Sequence, residues 1–344
     1  MKYYILKNED NDVVGYYIDL IKQGILAESS SNKVFVVKDI ADIKKPDAIV
    51  VLNFYFCILS YIKFRNIPII TWFQGIMPEE RVYLQNKSRL LSLRSKSKDL
   101  LFPILEKYAL QISKLNIFVS ERMKKHYIEK YNYISRNDII IPCYNQNINK
   151  NAFNQEKYSI PSFVYAGSVH HWQCIDEMLI LFRSIKEQLS SATLTIYTKE
   201  QEVVINKLEK YSLNNSVIVK YLPYQELKHE LSQFKYGFLL REEHIVNHVA
   251  TPIKINTYLA NGIIPIITNV IDFYNTTLNM LEYKIILSDN LKNIFSHSKK
   301  IISFDKNTIN VEKMRNEYLA FFHRYYNDDK YIDLIKNSIK KMKV

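Results

Sequence analysis

Short apolar runs that each give way to an amphipathic stretch recur along nearly all of the 344-residue chain. That alternation is the strongest constraint on its fold. A strand followed by a helix and then another strand needs a crossover connection, so the sheet is parallel and covered on both faces. Strands are expected at Lys2–Leu6, Lys33–Val37, Ala48–Leu52, Ile67–Trp72, Leu115–Val119 and Ile139–Ile141. Between them the helical spacing predicts helices over Tyr16–Ala27, Phe54–Phe64, Leu100–Ile112 and Glu121–Lys130, the last capped by Ser120. Asn145–Ser159 is polar, Asn-rich and without period, and reads as a linker. The pattern then restarts, with strands at Ser162–Tyr165, Ala192–Tyr197, Val217–Tyr221, Tyr236–Leu240 and Ile264–Thr268. Helices Ile175–Gln188, Gln201–Tyr211, Glu226–Gln233 and Pro252–Ala260 alternate with them. The expected class is α/β, with two Rossmann-like doubly wound domains, 1–150 and 151–310, facing across a cleft. A helical tail, 311–344, follows, and packing back on the first domain is one placement for it.

Composition narrows the class further. With 47% hydrophobic residues, the chain can build two cores without disulfides or metal. Cys57, Cys143 and Cys174 are sparse and widely spaced, which fits a reduced cytosolic compartment. The start, Met1 to Lys7, turns polar too early for a signal peptide. The longest apolar run, Ile49 to Ile62, is interrupted at Asn53 and falls short of the ~20 residues of a spanning helix. Net charge is +12, and six basic residues between Arg81 and Lys98 have no acid among them. Such a cluster suits an anionic membrane face or a phosphate-bearing partner; a solvated helix face explains it equally well. No helix-turn-helix, RNP or zinc-finger pattern accompanies the charge, so nucleic acid is not an expected partner.

Three segments carry chemistry. Ligands in open α/β sheets sit beyond the strand carboxyl ends, and helix N-termini favour anions. Gly167 and Ser168 follow a strand directly, letting backbone and hydroxyl approach a phosphate, with His170 and His171 adding charge; an ordinary β–α turn is the plainer reading. In the second segment Thr251 is a candidate N-cap, Pro252 the first helical residue and Gly262 the residue after the helix. Lys254 in the first turn opposes the helix dipole unless an anion sits there. Arg241, at a strand end, offers a planar fork for diphosphate, or pairs on the surface with Glu242 or Glu243. The third segment is Gln74-Gly75-Ile76-Met77-Pro78-Glu79-Glu80. Here Gly75 permits close approach, and Glu80, ahead of Glu79, is the candidate general base or acceptor-orienting carboxylate. An acidic first helical turn accounts for the same residues. Gly15 is expected to line the acceptor side with Gln74 and Gly75, or simply to make a tight turn.

The run Pro252-x-Lys254-x-x-x-Tyr258-Leu259-Ala260-x-Gly262-x-x-Pro265-x-Ile267 resembles the donor-binding segment of GT-B glycosyltransferases of the family-4 type. Tyr165-Ala166-Gly167-Ser168 resembles the strand that opens their second domain. Trp72 to Glu80 and Val119 to Met123 resemble the acceptor domain of bacterial capsule and O-antigen members. The resemblance implies a hexosyltransferase-like enzyme moving a sugar from a nucleotide-sugar donor to a glycan or lipid-diphosphate acceptor. It implies a donor site around Gly167, Ser168, His170, Arg241, Pro252, Lys254, Thr257 and Tyr258, with no metal or other cofactor at the diphosphate. It also implies a cytoplasmic protein peripheral to the inner membrane. The sequence departs from the family pattern where two glutamates eight positions apart belong: Val249 and Thr257 stand there. His170, His171 and Trp172 replace the Arg/Lys pair usual after the second-domain glycine. The ribose-holding role therefore falls to Thr257, Glu242 or Glu243. A nucleotide-sugar epimerase of the same fold and a catalytically inactive glycan-binding scaffold are the alternatives.

Overall fold

The computed structural model describes residues 1–7, 12–87 and 93–342. The chain divides into two compact units. The first comprises Met1–Asn145 with His248–Thr251 and Asn327–Val344, and the second Gln146–Asn247 with Pro252–Tyr326.

The first unit holds a six-stranded parallel sheet of β1 (Lys2–Leu6), β2 (Lys33–Val37), β3 (Ala48–Val51), β4 (Ile69–Phe73), β5 (Leu115–Phe118) and β6 (Asp138–Ile140), in the order β2-β1-β3-β4-β5-β6. Every residue of β3, β4 and β5 is buried, as expected of central strands covered on both faces. Aromatic stacking extends the core, with Tyr17 lying on Trp72 at 4.1 Å between ring centroids. Ser120 accepts a hydrogen bond from the Met123 amide and so caps the Glu121–Tyr131 helix. Its hydroxyl also donates to the Val249 carbonyl.

The second unit repeats the plan with β7 (Ser162–Ala166), β8 (Thr193–Tyr197), β9 (Val217–Lys220), β10 (Tyr236–Leu239), β11 (Ile264–Thr268) and β12 (Ile285–Leu287), in the order β12-β11-β10-β7-β8-β9. All ladders are parallel. In each order the winding direction reverses once, between β1 and β3 and again between β7 and β10. These switch points are where open α/β sheets leave a crevice beyond their strand ends.

Several elements differ from the sequence expectation. The first helix is Asp12–Glu28, so Gly15 is helical and not in a turn ahead of the helix. The helix expected from Leu100 begins at Leu93, which carries it through Pro103. The stretch read as a linker is folded from residue 146 on. Its two short turns, Lys150–Ala152 and Gln155–Tyr158, lie in the second unit, where Lys157 donates to the Asn261 carbonyl at 2.6 Å and Tyr158 to that of Gly262 at 2.7 Å. Asparagine side chains cap these turns, so their abundance reflects turn chemistry and not disorder. The tail forms two helices, Val311–Tyr325 in the second unit and Asp328–Met342 in the first. The latter packs on the Asp12–Glu28 helix, where Gly24 makes room for Ile335: a Cβ on Gly24 would lie 2.5 Å from Ile335 Cγ2. Strand β12 and the Ile294–Asp305 helix were not anticipated, because Ile285–Leu287 is too short to stand out.

Candidate functional site

Two constellations stand beyond strand carboxyl ends, one in each unit: that of the second unit at its β7/β10 switch point, that of the first beside β3 and β4. In the second unit, β7 ends at Ala166 and the chain turns through Gly167 at φ +141°, a conformation that favours glycine. A Cβ there would come within 2.8 Å of Lys254 Cε and 2.9 Å of Nζ, so Gly167 is also needed to admit that lysine. Lys254 Nζ donates to Gln173 Oε1 at 2.8 Å and stands 4.8 Å above the Tyr165 ring. Arg241 follows β10; its Nη1 donates to the same Gln173 Oε1 at 2.8 Å and to the carbonyls of Trp172 and Leu240. Gln173 and Arg241 are buried. Two cationic side chains thus converge on one neutral oxygen. Among the described residues no carboxylate lies within ion-pair distance of Lys254. Burial, with the Arg241 charge added, drives the Lys254 ammonium well below its ordinary pKa.

Around this pair the predicted residues fall into two groups. Gly167, Ser168, His170, Arg241 and Lys254 belong to the switch-point ends of β7 and β10 or to the helix facing them. The Ser168 carbonyl accepts from the Tyr165 hydroxyl, and His170 lies 5.1 Å from the Trp172 ring. His171 Nε2 is 3.4 Å from Glu242 Oε1. Tyr258 is a core residue: it has no exposed surface, donates to the Phe238 carbonyl and fills the space above Gly237. Its place in the motif reflects packing. Thr257 accepts from the Gln146 amide at 3.3 Å.

The helix itself corrects an expectation. It spans only Lys254–Ala260, with Ile253 at the cap position and no side-chain cap bond. Pro252 precedes it, its carbonyl accepting from the Tyr274 hydroxyl and the Ile255 amide. Thr251 takes the Cys143 amide at 3.0 Å instead of capping. A helix this short has little dipole, so side-chain cations and not amides supply the positive charge. Gly262 does follow the helix at φ +62°.

In the first unit, a cavity of about 220 Å³ opens at the ends of β3 and β4 and is lined in part by Asn53, Gln74, Gly75 and Glu80. Gly75 is required here: a Cβ would meet Glu80 Oε1 at 2.0 Å. Burial, reinforced by the neighbouring Glu79 charge, pushes the Glu80 carboxyl up to about 7. Glu79 differs. Burial alone would raise it, but His126 Nε2 at 2.9 Å and Lys130 Nζ at 2.5 Å hold it below the usual carboxylate range. One carboxyl is locked as an ion pair, while the other lines the cavity and titrates near neutrality. Behind them lies Glu106, fully buried, which accepts from Tyr127 at 3.2 Å and Tyr131 at 2.8 Å. Sequence reasoning missed Glu106, His126 and Lys130. The available signal was Glu106 as the lone acid in an otherwise apolar helical stretch. Gly15 does not line this cavity, and a Cβ there would touch nothing within 4 Å.

Of the six basic residues from Arg81 to Lys98, Arg81 pairs with Asp99 at 2.8 Å. Arg89 lies outside the described residues, as do the side chains of Lys87, Arg94 and Lys96. Among the described residues no group of three or more His, Cys, Asp or Glu is arranged to hold a metal ion.

No protein-family model and no curated protein matches the sequence. Solved structures do match in fold. Sucrose-phosphate synthase from Thermosynechococcus elongatus superposes with a TM-score of 0.71 at 10% identity, over 99% of this chain and 98% of that one. WaaG, a glycosyltransferase involved in lipopolysaccharide biosynthesis, gives 0.66 at 11% identity, over 97% and 99%. A TarM variant from S. aureus, in complex with UDP and glycan ligands, gives 0.59 at 9% identity, over 85% of this chain. This chain spans 55% of the TarM length. The tandem doubly wound architecture is that of the GT-B fold.

Proposed function

We propose that the protein is a glycosyltransferase that takes a sugar from a nucleotide-sugar donor and passes it to a glycan or lipid-diphosphate acceptor in bacterial surface-polysaccharide synthesis. The observation that carries this reading is the convergence of Arg241 and Lys254 on Gln173 Oε1 at the switch point of the second unit. A diphosphate laid against them meets a fixed guanidinium and an ammonium, the charges that stabilise a departing nucleoside diphosphate. No metal is required for this in the proposal. UDP bound to TarM and the lipopolysaccharide role of WaaG support the donor class and the pathway class.

The acceptor hydroxyl would be positioned, and its proton taken, by Glu80 in the first unit's cavity. A base titrating near 7 is matched to neutral-pH proton transfer. Glu79, fixed by His126 and Lys130, orients the segment.

The same unit carries the features of a peripheral membrane contact. Leu100, Ile104 and Tyr108, spaced four apart on one helix, are 76%, 64% and 42% exposed, and Leu101 adjoins them. Exposed Lys98 and Lys107 lie on this helix, with Lys63 on the helix packed against it. Apolar side chains flanked by lysines fit an anionic bilayer surface. No helix of the described residues is long and apolar enough to cross a membrane.

Turnover of UDP-, GDP-, TDP- and CMP-sugars by purified protein, with and without lipid-linked glycan acceptors, tests the reading. Transfer supports it. Interconversion of free donor sugars would show an epimerase, and tight donor binding without transfer or hydrolysis an inactive scaffold.

A further inference from the structure

A basic groove lies at the outer edge of the second unit, apart from the residues discussed so far. β12 is the last strand of its sheet, with β11 between it and the β7/β10 switch point. On the helix that follows, Ile294–Asp305, Ser296, Lys300 and Ser303 recur one turn apart and so share a face, with Lys299 beside them and Asn307 just beyond the helix. These residues and Lys284, at the start of β12, line a groove of about 440 Å³, to which Ile285 and Phe304 contribute apolar surface. Three lysines line it and no carboxylate does. Lys284 Nζ donates to the Leu281 carbonyl, and Lys300 Nζ to the Ile286 carbonyl at 2.6 Å. Among the described residues no partner takes the side chains of Lys299, Ser296, Ser303 or Asn307. The nearby acids serve elsewhere. Asp305 takes Lys235 at 2.6 Å and Tyr236 at 2.8 Å, Glu282 takes Lys313, and Glu317 takes the Glu282 amide at 2.8 Å. The last two lend charge to Lys284 from outside the groove. The carbonyl end of the helix carries only about half a negative charge, too little to account for three lysines.

We propose that this groove binds a phosphate ester of a sugar or polyol. Lysine meets phosphate as a point charge, and Lys299 is free to do so. The Ser296 and Ser303 hydroxyls and the Asn307 amide can each donate to an ester oxygen or accept from a ligand hydroxyl. The volume falls within the roughly 300–1,000 Å³ of small-molecule sites, so there is room for the carbon skeleton as well as the phosphate. Ile285 and Phe304 offer that skeleton an apolar surface. The site stands independently of the donor reading, because none of its lining residues belongs to the Arg241–Lys254 constellation.

Isothermal titration of glucose 6-phosphate and glycerol 3-phosphate into the intact protein at low ionic strength tests this, with glucose and glycerol as uncharged controls. The unaltered protein should bind an ester and neither control. Lys299→Gln with Lys300→Gln should weaken binding by about tenfold or more. Lys292→Gln with Lys306→Gln removes the same charge from exposed lysines outside the groove and should leave binding unchanged. Ser303→Glu, which keeps every lysine and sets a carboxylate among them, should also weaken it. Vesicles of phosphatidylglycerol identify the source of the ester. Protein carrying Leu100→Ser and Ile104→Ser should not float with them; flotation that persists and requires Lys299 and Lys300 would keep the site and assign its ester to a lipid headgroup. Failure to bind either ester or the vesicles overturns the proposal, as does binding that the groove variants leave unchanged or that the control pair weakens equally.

Discussion

At the scale of single residues, the two glutamates of the first unit have been given different work by their surroundings. Glu80 is half-buried beside a second negative charge, while Glu79 is neutralised by His126 and Lys130. Glu80→Gln should therefore cut transfer by about 10²–10⁴-fold while leaving donor binding intact, as a rate assay paired with a thermal-shift assay would show. The unaltered enzyme should gain activity as pH rises through about 7, where Glu80 ionises. Stability runs the other way. The Glu80 pKa is raised on folding, so its favourable contribution is complete below the ordinary carboxylate value and is lost as pH rises through about 7. Glu80→Gln should consequently be more stable than the parent above pH 7, by up to about 3 kcal/mol in urea unfolding. On the other unit, Gly167→Ala puts a methyl against Lys254 at a φ that alanine resists. It should weaken nucleotide affinity and lower the melting temperature together. Residue chemistry was partly legible in the sequence. Lys254 and Arg241 stood out because a cation at a helix start or a strand end asks for an anion. Gln173 did not, since nothing in a His-Trp-Gln run announces that the amide will hold two cations. Tyr258 misled because a motif records packing residues along with binding residues.

At the scale of elements, strand positions were readable because burial on both faces writes continuous apolar runs into β3, β4, β5 and β11. Helix starts were less so. The Lys254–Ala260 helix begins two residues after Pro252, and Thr251, expected as its cap, is engaged with the Cys143 amide. That pairing spans more than a hundred positions and leaves no local trace. The docking of the last helix is likewise a tertiary matter. Gly24 admits Ile335 on the facing helix, so Gly24→Ala should cost about 1–3 kcal/mol through overpacking. Ile335→Ala in the same chain, which removes the Cγ2 that a Cβ on Gly24 would meet, should cost less in the Gly24→Ala background than in the parent. A denaturant double-mutant cycle measures the coupling, and additive costs would show that the two side chains do not meet.

At the scale of the molecule, both units share one plan: a parallel sheet whose winding reverses once, with polar chemistry gathered beyond its strand carboxyl ends. The first unit places a carboxyl there, and the second a guanidinium and a lysine; in the proposed reaction these serve the acceptor hydroxyl and the diphosphate. The exposed Leu100, Ile104 and Tyr108 predict salt-sensitive flotation with anionic vesicles, which Leu100→Ser with Ile104→Ser should abolish while leaving the fold intact. The central claim is that the second unit binds a nucleoside diphosphate through Arg241 and Lys254. A thermal-shift panel of UDP, GDP, CMP and TDP tests it most directly, since a ligand that binds only the folded state must raise the melting temperature. One of the diphosphates should stabilise the protein, and Arg241→Ala and Lys254→Ala should each weaken its binding by about 10- to 100-fold. A panel in which no nucleotide shifts the transition, or in which both variants respond as the parent does, would contradict it.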